Sequence, residues 1–355
     1  MKPLSLHGEE DRVGGRFVAA ATAACKGVAL LLLLWYHLFY LHPEYGFIVR
    51  VTSLSSKACV AIFVILSGYG LAAAAGAGKV GLLAFYKRRL SRLYVNYWLI
   101  AALFIAIGVL TGLRPIAAAY PTRPFLNLAL ELAGLGQYLA GGPGYNATWW
   151  YVGLIVPLYL LFPFLNWLAR KCGWWFLLPS ALLLAIGGTR LPMLRPWLFP
   201  FCLGIYLAQR DLLPAISARL ARAGRFRFVL LALLLAAVAC LQLTIFAGGG
   251  LIDGPFGALV IVSTFEVIRA LPAAKGPLGF LGRHLFNIFL FHTFIYFYFW
   301  PELIYAPRNP VAILGLLLGI CLAVSLLLER LKSLAGFSRL QAAIDRLPVP
   351  DTPRL

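Results

Sequence analysis

Charge is what this sequence has least of, and acid above all. Only 12% of its 355 residues are charged, with 12 Asp+Glu against 31 Lys+Arg, whereas an ordinary soluble domain is about a quarter charged. Set beside 62% hydrophobic residues, that scarcity excludes a soluble globular enzyme and a disordered chain. Cysteine is sparse too. Cys25, Cys59, Cys172, Cys202, Cys240 and Cys321 lie mostly inside apolar runs and form no CxxC pair, which excludes a disulfide-stapled module and offers no zinc site, so no metal is expected. The polar/apolar alternation of an outer-membrane barrel is missing, because the apolar runs are continuous. No soluble domain, low-complexity linker or internal repeat stands out.

What is present is a series of apolar runs near the 20 or so residues that a membrane helix needs. The pattern predicts an all-α polytopic membrane protein of about ten transmembrane helices. They fall near 24–41, 58–75, 94–112, 149–168, 174–188, 196–209, 228–246, 255–270, 284–303 and 310–328. The spans 174–188 and 196–209 are short and carry Pro179, Pro196 and Pro200. The stretch 125–140 holds Glu131 and reads as an interfacial segment or an extra helix. A small-residue AAATAAC stretch precedes the first run, where a signal-peptide cleavage site would follow it, so that run reads as an uncleaved span.

Lys and Arg accumulate in cytoplasmic loops. With the N-terminus inside, 24 basic residues fall on the inner side and 7 (Arg50, Lys57, Arg114, Arg123, Arg190, Arg195 and Arg308) on the outer side. The formal charge of +19 is thereby explained without nucleic acid. The expected layout is a multi-pass protein of the inner (cytoplasmic) membrane with both termini cytoplasmic. It comprises an N-terminal tail (1–23), a transmembrane domain (24–328) and a basic C-terminal tail (329–355).

An ionisable residue inside a membrane helix marks a site by default. His37 lies in the outer half of the first span and Lys26 at its inner start. Eleven residues apart, they share one helix face about 16 Å apart along the axis. A cation below and an imidazole above on one face suit a long anionic ligand, its phosphates on the cation and its reactive end on the base. The plainer alternatives are a snorkelling Lys26 and a His37 that only bonds neighbouring helices. In FVILSGYG, Ser67, Gly68 and Gly70 are small residues that allow close helix packing, and no nucleophile elbow surrounds Ser67. Arg88, Arg89 and Arg92 form a row at the start of the third span, either a topology signal or a bidentate grip for phosphate. Trp149, Trp150 and Tyr151 open the fourth span, where an aromatic belt is one explanation. His292 is a second imidazole in mid-span, with core hydrogen bonding as one role.

Taken together, these segments resemble the acyltransferase 3 family of integral membrane acyltransferases over about residues 16–328. Lys26-x10-His37 has the spacing of the family's Arg and His, with Lys26 keeping the charge but not the fork and Ala23 standing where an acid is often found. FVILSG (Phe63 to Gly68) is similar to FFxLSG, and Arg88 to Trp98 to the family's basic-aromatic stretch. Trp150, Tyr151, Tyr159 and Pro163 match WYL…Y…P, and Gly279 and His292 match the C-terminal motif.

The resemblance implies transfer of an acyl group, often acetyl, from acyl-CoA (acetyl-CoA) to a hydroxyl of a cell-envelope sugar, glycan or glycolipid. His37 would be the general base, and Lys26, Arg88, Arg89 and Arg92 would hold the donor. Ser67, Trp150, Tyr159 and His292 are candidates for lining the cavity or meeting the acceptor. Glu131, Asp253 and Glu302 are acids at the outer face. Membrane lipid is the expected surrounding. The alternative is a transporter or flippase for a glycolipid or small solute, which inverted repeats and paired broken helices would favour.

Overall fold

A computed structural model of the chain describes residues 6–77, 81–140, 142, 144–185, 193–244, 252–350 and 352, and among the described residues there is no strand. The helices are α1 (Leu6–Phe39), α2 (Phe47–Ser55), α3 (Cys59–Ala77), α4 (Leu82–Leu110), α5 (Ile116–Ala119), α6 (Pro124–Leu132), α7 (Gly136–Leu139), α8 (Trp150–Cys172), α9 (Leu177–Ala185), α10 (Arg195–Gln209), α11 (Leu212–Ala221), α12 (Phe226–Thr244), α13 (Asp253–Ala270), α14 (Lys275–Thr293), α15 (Pro301–Tyr305), α16 (Pro310–Leu334) and α17 (Phe337–Arg346). A π-helical turn, Phe294–Phe299, continues α14.

Seven segments are long and apolar enough to cross a membrane: Ala20–Phe39, Phe47–Gly76, Leu82–Leu110, Trp150–Leu183, Phe226–Thr244, Pro272–Phe299 and Pro310–Leu334. The expectation of ten is therefore met only in part, and each difference has a physical reason. α9 follows α8 through a single 3₁₀ turn, Gly173–Phe176, so the expected 174–188 span merges with its predecessor, and residues 186–188 lie outside the described residues. α10 has 15 residues, about 22 Å of helix against a hydrocarbon core of about 30 Å. α13 carries Asp253, Glu266 and Arg269 within its 18 residues, which lowers its apolar character. The expected segment 125–140 forms α6 and α7.

Two helix pairs make the centre, and small residues let their backbones meet. In the α1–α14 pair, a Cβ on Gly282 would collide with the Ala23 carbonyl, and one on Gly27 with the Leu278 carbonyl. In the α3–α10 pair, Gly68 meets the Phe201 carbonyl and Gly204 the Ile65 carbonyl in the same way. The close packing read from FVILSG is thus made by Gly68, whereas Gly70 faces open space. Around this centre Leu30, Leu33, Leu34, Phe39, Phe162, Phe201 and Phe291 are wholly buried. α12, by contrast, buries only Leu231 and Gln242, as a peripheral, lipid-facing helix does.

Candidate functional site

Helices α1, α3, α8 and α14 enclose two cavities, stacked because each helix contributes residues to both. The first, about 480 Å³, is lined by Lys26 of α1, Ser67 and Gly70 of α3, Arg89 of α4, Tyr151 and Tyr159 of α8, and Arg283 of α14. The second, about 250 Å³, is lined by Tyr36, His37 and Tyr40 of α1, Cys59 of α3, Trp150 of α8 and Trp197 of α10, with Lys57, Thr148, Thr293 and Tyr296 at its wall. They are called here the basic cavity and the histidine cavity. Lys26 and His37 thus do share a helix face, but each belongs to its own chamber.

In the histidine cavity the decisive contact is between two imidazoles. Nε2 of His292 lies 3.0 Å from Nδ1 of His37. Nδ1 of His292 faces two backbone carbonyls, Ile288 at 2.9 Å and Phe289 at 3.1 Å. A carbonyl can only accept, so in neutral His292 the proton is on Nδ1 and Nε2 is bare. His37 must then donate from Nδ1, which leaves its own Nε2 unprotonated on a residue that lines the cavity. His292 itself is wholly buried. It stands behind His37 and lines neither of these two cavities, and its contacts are the hydrogen bonds of a buried core group.

The turn before α8 secures this arrangement. Asn146 Oδ1 accepts from the Thr148 amide at 2.9 Å and from the Thr293 hydroxyl at 2.8 Å, while its Nδ2 donates to the Leu290 carbonyl at 3.2 Å. Trp149 Nε1 donates to the same carbonyl at 2.8 Å. The Thr148 hydroxyl lies 3.1 Å from the Phe289 carbonyl, one of the two that orient His292. The π-helical turn begins directly after Thr293, and such turns gather at functional sites.

Glu131 anchors the same turn from outside the spans. Its carboxylate accepts from the Tyr120 hydroxyl, from the Tyr145 amide at 2.7 Å and from the Asn146 amide at 3.5 Å. Burial pushes its pKa up to about 7, against the opposing pull of those hydrogen bonds and of Arg114. Glu131 is accordingly a loop-organising group, 5% exposed, and not an acid presented at the outer face. Asp253, 2% exposed, is likewise taken up, by Gln242, whereas Glu302 is exposed.

Of the other expected site residues, Lys26, Arg89, Ser67 and Tyr159 come together in the basic cavity and Trp150 lies in the histidine cavity. Arg88 and Arg92 line neither. Arg92 instead pairs with Asp345 of α17 at 3.2 Å. At 100° per residue Arg88 is turned about 100° around α4 from Arg89 and Arg92 about 60°, and of the three only Arg89 reaches the cavity lining. Sequence reasoning passed over Arg283, counted only as a topology signal, and over Asn146, Thr148 and Thr293. Polar residues beside the aromatics in YNATWW were the available signal for the first two. Among the described residues no cluster of three or more His, Cys, Asp or Glu could hold a metal.

Apolar helices of spanning length around buried imidazoles and cations define a multi-pass helical membrane protein. The family model described as "Acyltransferase domain", acyltransferase 3, matches residues 23–330, and the chain belongs to that family. It is accordingly an acyl-transferring enzyme, which sets the transporter alternative aside. No curated protein and no solved structure matches it.

Proposed function

We propose that this enzyme is an O-acyltransferase of the inner membrane, with both termini cytoplasmic, that moves an acyl group, acetyl foremost, from acyl-CoA to a hydroxyl of a cell-envelope sugar or glycan. The observation that carries the reading is the stacking of a cation-lined cavity on an imidazole-lined one along shared helices. The basic cavity opens to the cytosol, where the donor is made. Lys26, Arg89 and Arg283 neutralise its phosphates. The thioester end extends toward His37, about 16 Å further along α1.

Nε2 of His37 takes the proton of the acceptor hydroxyl as the oxygen attacks the thioester carbonyl. The new C–O bond forms and the C–S bond breaks. The proton then passes from His37 to the departing sulfur, so that CoA leaves as a thiol through the basic cavity. Direct transfer needs no protein nucleophile. An imidazole with one bare nitrogen can accept that proton and pass it on within the same site. Trp150, Trp197 and Tyr36 offer the aromatic surface on which the apolar face of a sugar ring rests. The test is thiol release from acetyl-CoA by the purified, membrane-reconstituted protein. His37→Ala should reduce it by about 10²–10⁴-fold, and full activity in a folded His37→Ala protein would overturn the reading.

A further inference from the structure

The two cavities are stacked but are not one space. Among the described residues Phe289 is the one common to both linings. Its ring packs on Phe63, with centroids 5.9 Å apart, and on Tyr151 at 5.0 Å, while Phe63 and Tyr151 stand 6.3 Å from each other. All three spacings are those of rings in mutual contact, so the triangle is closed. The rings come from three helices, α3, α8 and α14, and none is more than 8% exposed. Beyond the triangle stands the histidine pair, with the Phe289 ring centroid 6.3 Å from that of His292.

On the acyl-CoA reading given above, on which this inference rests, the donor's phosphates stay in the basic cavity while its thioester reaches His37. The donor must therefore pass through the triangle with its acyl tail leading. The tail comes to lie in the histidine cavity, ahead of the carbonyl. That cavity measures about 250 Å³, below the roughly 300–1,000 Å³ of ordinary ligand pockets, and it must also admit the acceptor hydroxyl. A long tail would fill it and exclude the acceptor, whereas a tail of a few carbons leaves room.

We propose that Phe63, Tyr151 and Phe289 form an aromatic collar that selects the donor by acyl length, with Phe289 the limiting ring. Phe289 is suited to the task because its backbone is held independently of its ring. Its carbonyl faces His292 Nδ1 and the Thr148 hydroxyl, so the ring can swing aside without moving the imidazoles. A triangle that served only to pack the core would be indifferent to the donor's tail.

The experiment measures thiol release from acetyl-, butyryl- and octanoyl-CoA by the full-length purified protein, with water standing in for the acceptor. In this hydrolysis the C–S bond breaks, a C–O bond to water forms, and the water's proton goes to the thiolate. Wild type should favour acetyl-CoA. Phe289→Ala should raise the octanoyl-to-acetyl rate ratio by about tenfold or more, within the range that a few methylenes can command in a pocket. Phe289→Trp should lower it. Should Phe289→Ala fail to fold, Phe63→Leu widens the collar from α3 without touching α14 and should shift the ratio in the same direction. An unchanged ratio in folded variants, or a wild type equally fast on octanoyl- and acetyl-CoA, would overturn the collar while leaving the acyl-CoA reading standing. No thiol release by wild type from any of the three would overturn the donor reading and the collar with it.

Discussion

The two cavities are built on the same helices yet solve opposite problems. The basic cavity is a place for charge: three cations on three different helices, Lys26, Arg89 and Arg283, converge on it. At the wall of the histidine cavity and behind it, a set of polar groups is locked to one another and to backbone, from Asn146 through Thr293 and Thr148 to the carbonyls that orient His292. On the acyl-CoA reading, phosphate is met there by the guanidinium forks of Arg89 and Arg283 and by the flexible point charge of Lys26, so losing one cation leaves the others in place. Removing a proton needs one nitrogen in one tautomer, and a tautomer is fixed by the partner of the other nitrogen. Substitutions in the first chamber should therefore be graded and salt-sensitive, and those in the second should be steep.

The steepest is His37→Ala. Catalysis should fall by about 10²–10⁴-fold while acyl-CoA binding to the protein, measured by calorimetry in detergent, stays near the wild-type value. Lost binding instead would mean that the two chambers are not functionally separate. Next comes the group behind it. His292→Ala removes the acceptor of the His37 Nδ1 proton, the group that holds the tautomer, and should lower the rate by a smaller factor than His37→Ala. Because the tautomer and not merely the packing is at stake, the pH–rate profile should shift with it. A parallel fall in rate with an unmoved profile would reduce His292 to a structural role.

In the basic cavity, Lys26→Glu should weaken acyl-CoA binding by roughly tenfold at low salt, with the difference shrinking as ionic strength rises, since screening acts within about 10 Å at 0.1 M salt. Lys26→Arg should retain binding. Equal donor affinity in wild type and Lys26→Glu would remove Lys26 from the donor site.

The Glu131 carboxyl tests the support of the histidine chamber rather than its chemistry. Its pKa in the folded protein is pushed up to about 7 from an ordinary value of 4.5, so between those values the folded state holds a proton that the unfolded state has lost. Stability should then fall as pH rises from about 4.5 to about 7 and level off above, by about 3 kcal/mol at most. Thermal unfolding across that range should show wild type losing melting temperature while Glu131→Gln stays flat. A wild-type profile that rises with pH would contradict the sign.

How much of this was legible in the sequence differs between the same two chambers. Periodicity alone aligned Lys26 with His37, because an α-helix fixes the phase of residues eleven apart without any knowledge of neighbours. What joins His37 to His292 is an encounter across 255 residues of chain, set by the glycine-mediated contact of α1 and α14, and no spacing rule carries that. The same applies to the span count. Hydropathy located α10 and α13, but their short length and added charge belong to helices held by protein neighbours rather than by lipid alone. Glu131 reads as a surface acid until Tyr120 and the Tyr145 amide are seen to close around it.

The smallest expected effect lies at the edge of the basic chamber, in the arginine row. Arg92 is largely exposed, and its contact with Asp345, at 3.2 Å, is the kind of surface pair worth about 0–1 kcal/mol. α17 has further holds on α4 in that region: Lys87 donates to the Asp345 and Leu347 carbonyls, and Gln341 donates to the Ser91 hydroxyl at 3.0 Å. Arg92→Gln should therefore leave α17 docked, and it should change acyl-CoA affinity by no more than about twofold. Arg89→Gln, three residues away but facing into the cavity, should weaken affinity by several-fold in a salt-dependent manner. The pair of variants separates two descriptions of the row. If the cavity wall alone binds phosphate, the effects are unequal. If the whole row binds it, Arg92→Gln matches Arg89→Gln, the donor site extends past the cavity mouth to the α17 surface, and Asp345→Asn, which frees Arg92, should then strengthen donor binding rather than leave it unmoved.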